Sequence, residues 1–151
     1  DTVLVALGCD DFGVQVMDAA MQRVVRQFWG HTNRLTDVAW STDGRWLFSA
    51  SEDCTIRIID VPSANLIGWY SVPRAVTSIS ISPAGEFVIT THADTRAVCV
   101  WANRAVFSSV LLGAAGTKPI PLELPSSWCG DELHGGFYCE DYDSEESEEG
   151  E

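Results

Sequence analysis

Three residues in the first half of the chain are of the types that hydrolases combine: His31, Ser49 and Asp53. A hydroxyl beside an imidazole that takes its proton, with a carboxylate orienting the ring, makes an activated nucleophile for acyl transfer. That chemistry also needs the hydroxyl raised on a sharp turn beside amides that hold an oxyanion, and no Gly-x-Ser-x-Gly string surrounds Ser49. Metal and redox chemistry have less to work with. Cys9, Cys54, Cys99, Cys129 and Cys139 contain no CxxC pair, which excludes a zinc ribbon or a thioredoxin-type site and fits free thiols in a reducing compartment. Neither a metal nor a cofactor site is expected. What His31, Ser49 and Asp53 do therefore depends on the elements that position them.

Those elements recur. Asp11-Phe12-Gly13-Val14-Gln15-Val16-Met17-Asp18 returns 42 residues later as Asp53-Cys54-Thr55-Ile56-Arg57-Ile58-Ile59-Asp60. A third copy runs from Asp94 to Trp101, shifted by 41 at its start and 42 at its end, so it holds one extra residue. Val38-Ala39-Trp40-Ser41-Thr42-Asp43-Gly44 repeats 41 residues on as Ile79-Ser80-Ile81-Ser82-Pro83-Ala84-Gly85. A period of this length indicates one supersecondary unit used several times. Within each unit Trp46-Leu47-Phe48-Ser49-Ala50 and Phe87-Val88-Ile89-Thr90-Thr91 are aromatic and β-branched, as strands are. The segment from Thr55 to Asp60 alternates, with Ile56 and Ile58 on one face and Arg57 and Ile59 on the other. The Ser-Thr-Asp-Gly and Ser-Pro-Ala-Gly clusters fall between strands, and Asp53 and Asp94 are expected to open turns in which a short carboxylate bonds the backbone ahead of it. The unit reads as a propeller blade.

The repeat resembles the WD-repeat family. Gly30-His31 matches that family's Gly-His signature, and Ile59-Asp60 stands at its Trp-Asp position. The resemblance implies an all-β fold of four-stranded antiparallel blades, about two and a half of them in residues 1–112. One blade would have strands near 35–41, 45–50, 55–60 and 65–71, and the next near 75–81, 86–91, 96–101 and 105–112; residues 2–28 would supply most of an earlier one. It also implies a role for the triad-like residues. In this family a loop His, a strand Ser or Thr, a turn Asp and a strand Trp form a buried hydrogen-bonded chain, and His31, Ser49 and Asp53 fall at those places. Ile59 replaces the Trp, so that chain is expected to be one bond short; the next blade offers Thr90, Asp94 and Trp101 but Ser71-Val72-Pro73-Arg74 where Gly-His would stand. The expectation is a structural network of His31, Ser49, Asp53, Thr90, Asp94 and Trp101, with no catalytic residue among them. His92 is expected in a solvated loop. Trp29, Trp40, Trp46 and Trp69 are expected to pack between blades, though some could serve as interface anchors.

Charge divides the chain further. Of its 22 acidic residues, ten lie in 131–151, a stretch without Lys or Arg, while 1–130 carries a net charge of only −3. A strongly basic nucleic-acid binder is excluded. No apolar run approaches the ~18 residues that cross a bilayer, so no membrane partner is expected. Residues 113–130, with Pro119, Pro121, Pro125 and two glycines before Lys118, read as a linker, and 131–151 as an acidic disordered tail holding Ser144 and Ser147. The tail suits a solubilising spacer, or a segment that docks basic partners or is phosphorylated. The opening Asp1, with no Met and no charged-then-apolar leader, points to a piece of a longer chain whose other blades precede it.

A narrower resemblance rests on Phe28-Trp29-Gly30-His31, Asp43-Gly44-Arg45-Trp46-Leu47, Asp53-Cys54-Thr55-Ile56-Arg57, Ser82-Pro83-Ala84-Gly85-Glu86-Phe87 and Thr91-His92. These strings look like the last repeats of the tandem-propeller WD-repeat proteins of the small-subunit processome, which accompany the U-three small nucleolar RNA. The resemblance implies a nucleolar scaffold without enzymatic activity, acting in ribosome biogenesis and in processing of the pre-rRNA that yields small-subunit rRNA. Its partners would be other processome proteins and the pre-ribosomal RNA particle, with no small-molecule substrate. A WD-repeat adaptor of another complex (a ubiquitin-ligase receptor or chromatin module) and a propeller enzyme remain as alternatives.

Overall fold

The computed structural model describes residues 3–102 and 116–124, and over them every regular element is a strand. β1 (Leu4–Gly8), β2 (Val14–Asp18) and β3 (Arg23–Phe28) form one antiparallel sheet; β4 (Leu35–Trp40), β5 (Trp46–Ser51), β6 (Thr55–Asp60) and β7 (Asn65–Ser71) a second; β8 (Val76–Ile81), β9 (Phe87–His92) and β10 (Val98–Ala102) a third. Consecutive strands pair in chain order, as tight turns dictate. The strands fall where the repeat places them. The strand expected near 105–112 and the acidic stretch 131–151 lie outside the described residues.

Alternation along β5 sends its side chains to two neighbours. Phe48 and Ala50 join Ile56, Val72, Val76 and Ile79 in a buried cluster shared with the following sheet. Leu47 faces the other way and joins Val14, Val16 and Val61 against the preceding sheet. Fully burying such a side chain stabilises by about 1.5–3 kcal/mol, so the middle sheet is held from both faces. A carboxylate reinforces one seam: Asp37 Oδ2 accepts the Ser78 hydroxyl at 2.7 Å and the Ile79 amide at 3.0 Å, tying β4 to β8. The two equivalent turns after β4 and β8 need a positive φ and find it at Gly44 (φ 69°) and Gly85 (φ 73°).

One strand lacks any counterpart in the repeat. β11 (Ile120–Pro121) pairs in parallel with Tyr70 and Ser71 of β7, and the Leu122 amide donates to the Ser71 carbonyl at 2.7 Å. Leu122 packs on the cluster between the middle and following sheets. Residues 120–122, read from sequence as linker, thus pair with the Tyr70–Ser71 end of the outer edge of the middle sheet, where backbone groups would otherwise be unpaired.

Candidate functional site

His31 lies in the loop after β3, Ser49 in the middle of β5 and Asp53 in the turn to β6. The fold brings all three together. His31 Nε2 stands 2.9 Å from Ser49 Oγ, and Nδ1 stands 2.9 Å from Asp53 Oδ2. The arrangement that satisfies every group has the Ser49 hydroxyl donating to Nε2 and the Nδ1 proton donating to the carboxylate. Asp53 takes further donors from the backbone N–H of Thr32 (3.0 Å), and from the amide (2.9 Å) and hydroxyl (2.6 Å) of Thr55. Burial pushes this carboxyl up, but the bonds from His31, Thr55 and Thr32 outweigh it and hold the group well below the usual carboxylate range.

These distances are those of a nucleophilic triad, so burial decides between the two roles. Ser49 has 0% exposure and the His31 and Asp53 side chains 3% and 6%. A hydroxyl with no solvent-exposed surface offers no approach to a substrate carbonyl unless the packing of the sheet opens. An open depression of about 250 Å3 does exist, lined by Arg34, Leu35, Thr36, Glu52 and Thr77, but neither Ser49 nor His31 borders it. Among the described residues, no group of three or more His, Cys, Asp and Glu is placed to hold a metal.

Gly30 precedes the histidine for a steric reason. Its φ is +136°, and a Cβ there would stand 2.1 Å from Nη1 of Arg57. The Arg57 guanidinium occupies that space, donating from Nη2 to the Gly30 carbonyl at 2.6 Å and stacking 4.5 Å from the Trp69 ring centroid. The next member of the repeat's signature, Asp60, accepts from Arg45 Nε at 2.6 Å and from the Ser63 hydroxyl, which together hold its carboxyl below the usual range despite burial.

The following sheet is wired differently. Trp101 Nε1 donates to Thr90 Oγ1 at 2.8 Å, so these two residues meet as the repeat predicts. The imidazole comes from His92. Its Nε2 lies 2.9 Å from Thr90 Oγ1 and its Nδ1 3.1 Å from the Arg74 carbonyl. His92 is 3% exposed, not solvated, because the last residue of β9 points back into the sheet beside Thr90. Asp94, by contrast, is exposed and its carboxylate has no hydrogen-bond partner among the described residues. Thr95 takes the place expected of it: Thr95 Oγ1 accepts the Ala97 amide at 3.1 Å, as Asp53 Oδ1 accepts the Thr55 amide. The extra residue of the third copy sits between His92 and Thr95 and displaces the turn's cap by one, leaving Asp94 in the left-handed region at φ 58°.

Trp40 packs against the cluster shared with the preceding sheet and Trp46 against the one shared with the following sheet, while Trp69 is held under Arg57. Trp29 does not pack between blades: it sits in the loop after β3 with 62% of its surface exposed. Sequence reasoning passed over Asp37 and Thr95. Asp37 lacked any turn signal, and Thr95 was masked by the alignment on Asp94.

Across residues 1–125 the chain matches the family described as the WDR36/Utp21 second beta-propeller domain. It is 44% identical over 107 residues to U3 small nucleolar RNA-associated protein 21 homolog of Schizosaccharomyces pombe, covering 71% of this chain and 12% of that protein. It is 46% identical over 107 residues to U3 small nucleolar RNA-associated protein 21 of Saccharomyces cerevisiae, covering 71% and 11%. Against WD repeat-containing protein 36 of Homo sapiens it is 38% identical over 123 residues, 82% and 13%. The chain therefore spans 11–13% of the length of these relatives. Among solved structures, the WD40 beta propeller domain of Doa1 superposes with a TM-score of 0.55 over 60% of this chain and 30% of that one, at 21% identity, a likeness of fold.

Proposed function

Since the chain belongs to the WDR36/Utp21 second beta-propeller family, we propose that it serves as part of a non-catalytic scaffold in the small-subunit processome, supporting ribosome biogenesis and pre-rRNA processing. The observation that carries this reading is identity of 44% and 46% to two proteins whose names tie them to the U3 small nucleolar RNA. The geometry supports the non-catalytic part. The residues that resemble catalytic machinery are sealed inside a sheet, where they satisfy one another rather than face a cleft. Sheets clamped to each other by two apolar clusters and by Asp37 make a rigid body. Such a body holds several partners in fixed relation through its loops.

On this reading the working unit is the blade region 1–112, with 113–130 as linker and 131–151 as an acidic tail. The His31–Ser49–Asp53 and Trp101–Thr90–His92 chains fix loop and turn positions in their blades. The partners are other processome proteins and the pre-ribosomal RNA particle, and the site of action is the nucleolus. Sedimentation of the full-length protein through a density gradient tests the assignment. Co-migration with large particles containing U3 RNA is the expected result, and its absence from them, with recovery among ligase or chromatin subunits instead, would refute it.

A further inference from the structure

From the pairing of β11 with β7 we infer that the rim of the middle blade is a strand-acceptor site. Residues 120–122 occupy it in cis, and a partner protein enters it with an extended apolar-Pro-Leu segment of the same kind. All four strands of this blade and the sheets on both sides of it are described, so the edge of β7 is the blade's own rim. β7 is uncharged along its whole length, Asn65-Leu66-Ile67-Gly68-Trp69-Tyr70-Ser71, whereas β3, at the edge of the preceding sheet, carries Arg23 and Arg26. Charged side chains guard an edge against strand addition, and an edge without them is suited to pairing. A bulge narrows the place. The β6–β7 register passes over Ile67, with Gly68 opposite Ile58 and Leu66 opposite Ile59. Bulges bend an edge away from further pairing, so the regular part is Gly68–Ser71, and the added strand sits at its end.

The chemistry of the occupant follows from how it sits. The Leu122 amide donates to the Ser71 carbonyl at 2.7 Å, and its side chain packs on the cluster of Phe48, Ile56, Val72 and Val76 shared with the following sheet. Leucine is therefore the anchor. Backbone groups alternate sides along a strand, so the nitrogen of Pro121 points away from β7, where a missing N–H loses no bond. The proline also stiffens the segment, which lowers the cost of ordering it, and denies a donor to any further strand on the outer side. Ile120 is 56% exposed and Pro121 is exposed as well, so neither acts as an anchor. The hold in cis is thus two paired residues and one half-buried leucine, a local contact that opens without unfolding the sheet beneath it. Backbone pairing combined with a pocket for one side chain is how an open edge captures a partner's strand. With no Lys or Arg in β7, a phosphate backbone finds nothing there to neutralise it.

This inference rests on the protein being an interaction platform and names the chemistry of one partner. The test titrates the full chain with a synthetic peptide, Lys-Pro-Ile-Pro-Leu-Glu-Leu, which copies residues 118–124. In 15N NMR the peptide is expected to shift the Tyr70 and Ser71 amides of a Leu122→Asp chain to saturation. The parent chain is expected to bind it at least about tenfold more weakly, because its own segment competes at high effective concentration. Ile120→Pro removes an N–H that faces β7 from an exposed position, and is expected to open the site as Leu122→Asp does while sparing the apolar cluster. A peptide with aspartate in place of its first leucine is expected not to bind. The inference is overturned if the peptide leaves Tyr70 and Ser71 unshifted in both variants, if the parent binds it as tightly as they do, or if the aspartate peptide binds equally well. A failed titration alongside successful co-sedimentation with U3 particles would remove this site and leave the scaffold reading standing.

Discussion

The middle and following blades each bury a strand hydroxyl and bond it to an imidazole at 2.9 Å, but they draw the imidazole from different places. In the middle blade His31 arrives from a loop 18 residues before Ser49 and carries a charged partner, Asp53. In the following blade His92 stands two residues after Thr90 on the same strand and ends on a neutral carbonyl of Arg74. The middle blade lacks an indole donor because Ile59 fills its place, whereas Trp101 supplies one next door. The shared requirement is therefore a satisfied hydroxyl, not a particular residue in a particular position. A catalytic constellation does not rest on satisfied groups alone, because its roles depend on geometry about a reacting atom that substrate can reach. A structural one does, since any donor and acceptor of the right reach will serve.

The largest contrast should come from removing the two histidines in turn. His31→Ala takes from Asp53 one of its four donors and leaves the buried Ser49 hydroxyl without its acceptor, and should cost about 3 kcal/mol, while His92→Ala removes neutral bonds to Thr90 and the Arg74 carbonyl and should cost about 1–2 kcal/mol. Urea unfolding of both variants measures the order, and equal costs would mean that the Thr32 and Thr55 donors suffice for Asp53. The same carboxylate should make the middle blade the acid-sensitive one. Its folded pKa lies below the unfolded value of about 3.9, so the stability it contributes is complete above that value and is lost as pH falls through the lowered folded one. Asp53→Asn should flatten the acid limb of a stability–pH curve, whereas Thr95→Val, at the equivalent neutral cap, should leave its slope unchanged.

A smaller effect is expected at the indole. Trp101→Phe deletes one hydrogen bond while Thr90 keeps His92, a loss of about 1 kcal/mol by denaturant midpoint. Smallest of all should be Asp94→Asn, within about 0.5 kcal/mol of the parent, since the carboxylate is exposed and asparagine also tolerates φ 58°. A larger loss there would restore Asp94 to the network and undo the displacement inferred for this turn.

These positions also show how far the chain could be read without coordinates. The ~42-residue period located seven of the ten blade strands and assigned residues 2–28 to an earlier blade, because each blade repeats the same alternation and turn residues and periodic burial is written directly into residue type. His31, Ser49 and Asp53 were legible because the WD-repeat resemblance implies a buried chain at those positions. His92 was not, because its role depends on the pleat: the last residue of β9 turns inward only once β8 and β9 are paired in register. Asp94 was misplaced because a one-residue insertion moves a cap without altering the letters around it. β11 was invisible because Ile120–Pro121 is too short to alternate and draws its stability from the edge of β7. Trp29 read as core because tryptophan usually is; only the bare Gly13 beneath it reveals an exposed ring held in place.

The claim underneath all of this is that both imidazoles accept a hydroxyl proton at Nε2 and donate from Nδ1 inside a closed network. Long-range 15N NMR of the histidine rings reads it directly. Signals for His31 and His92, assigned by substitution, should both report the Nδ1–H form with a bare Nε2, persisting unchanged when solvent exchange is accelerated. A proton on Nε2 of either ring, or a ring that averages freely between its tautomers, would contradict the wiring described for that blade.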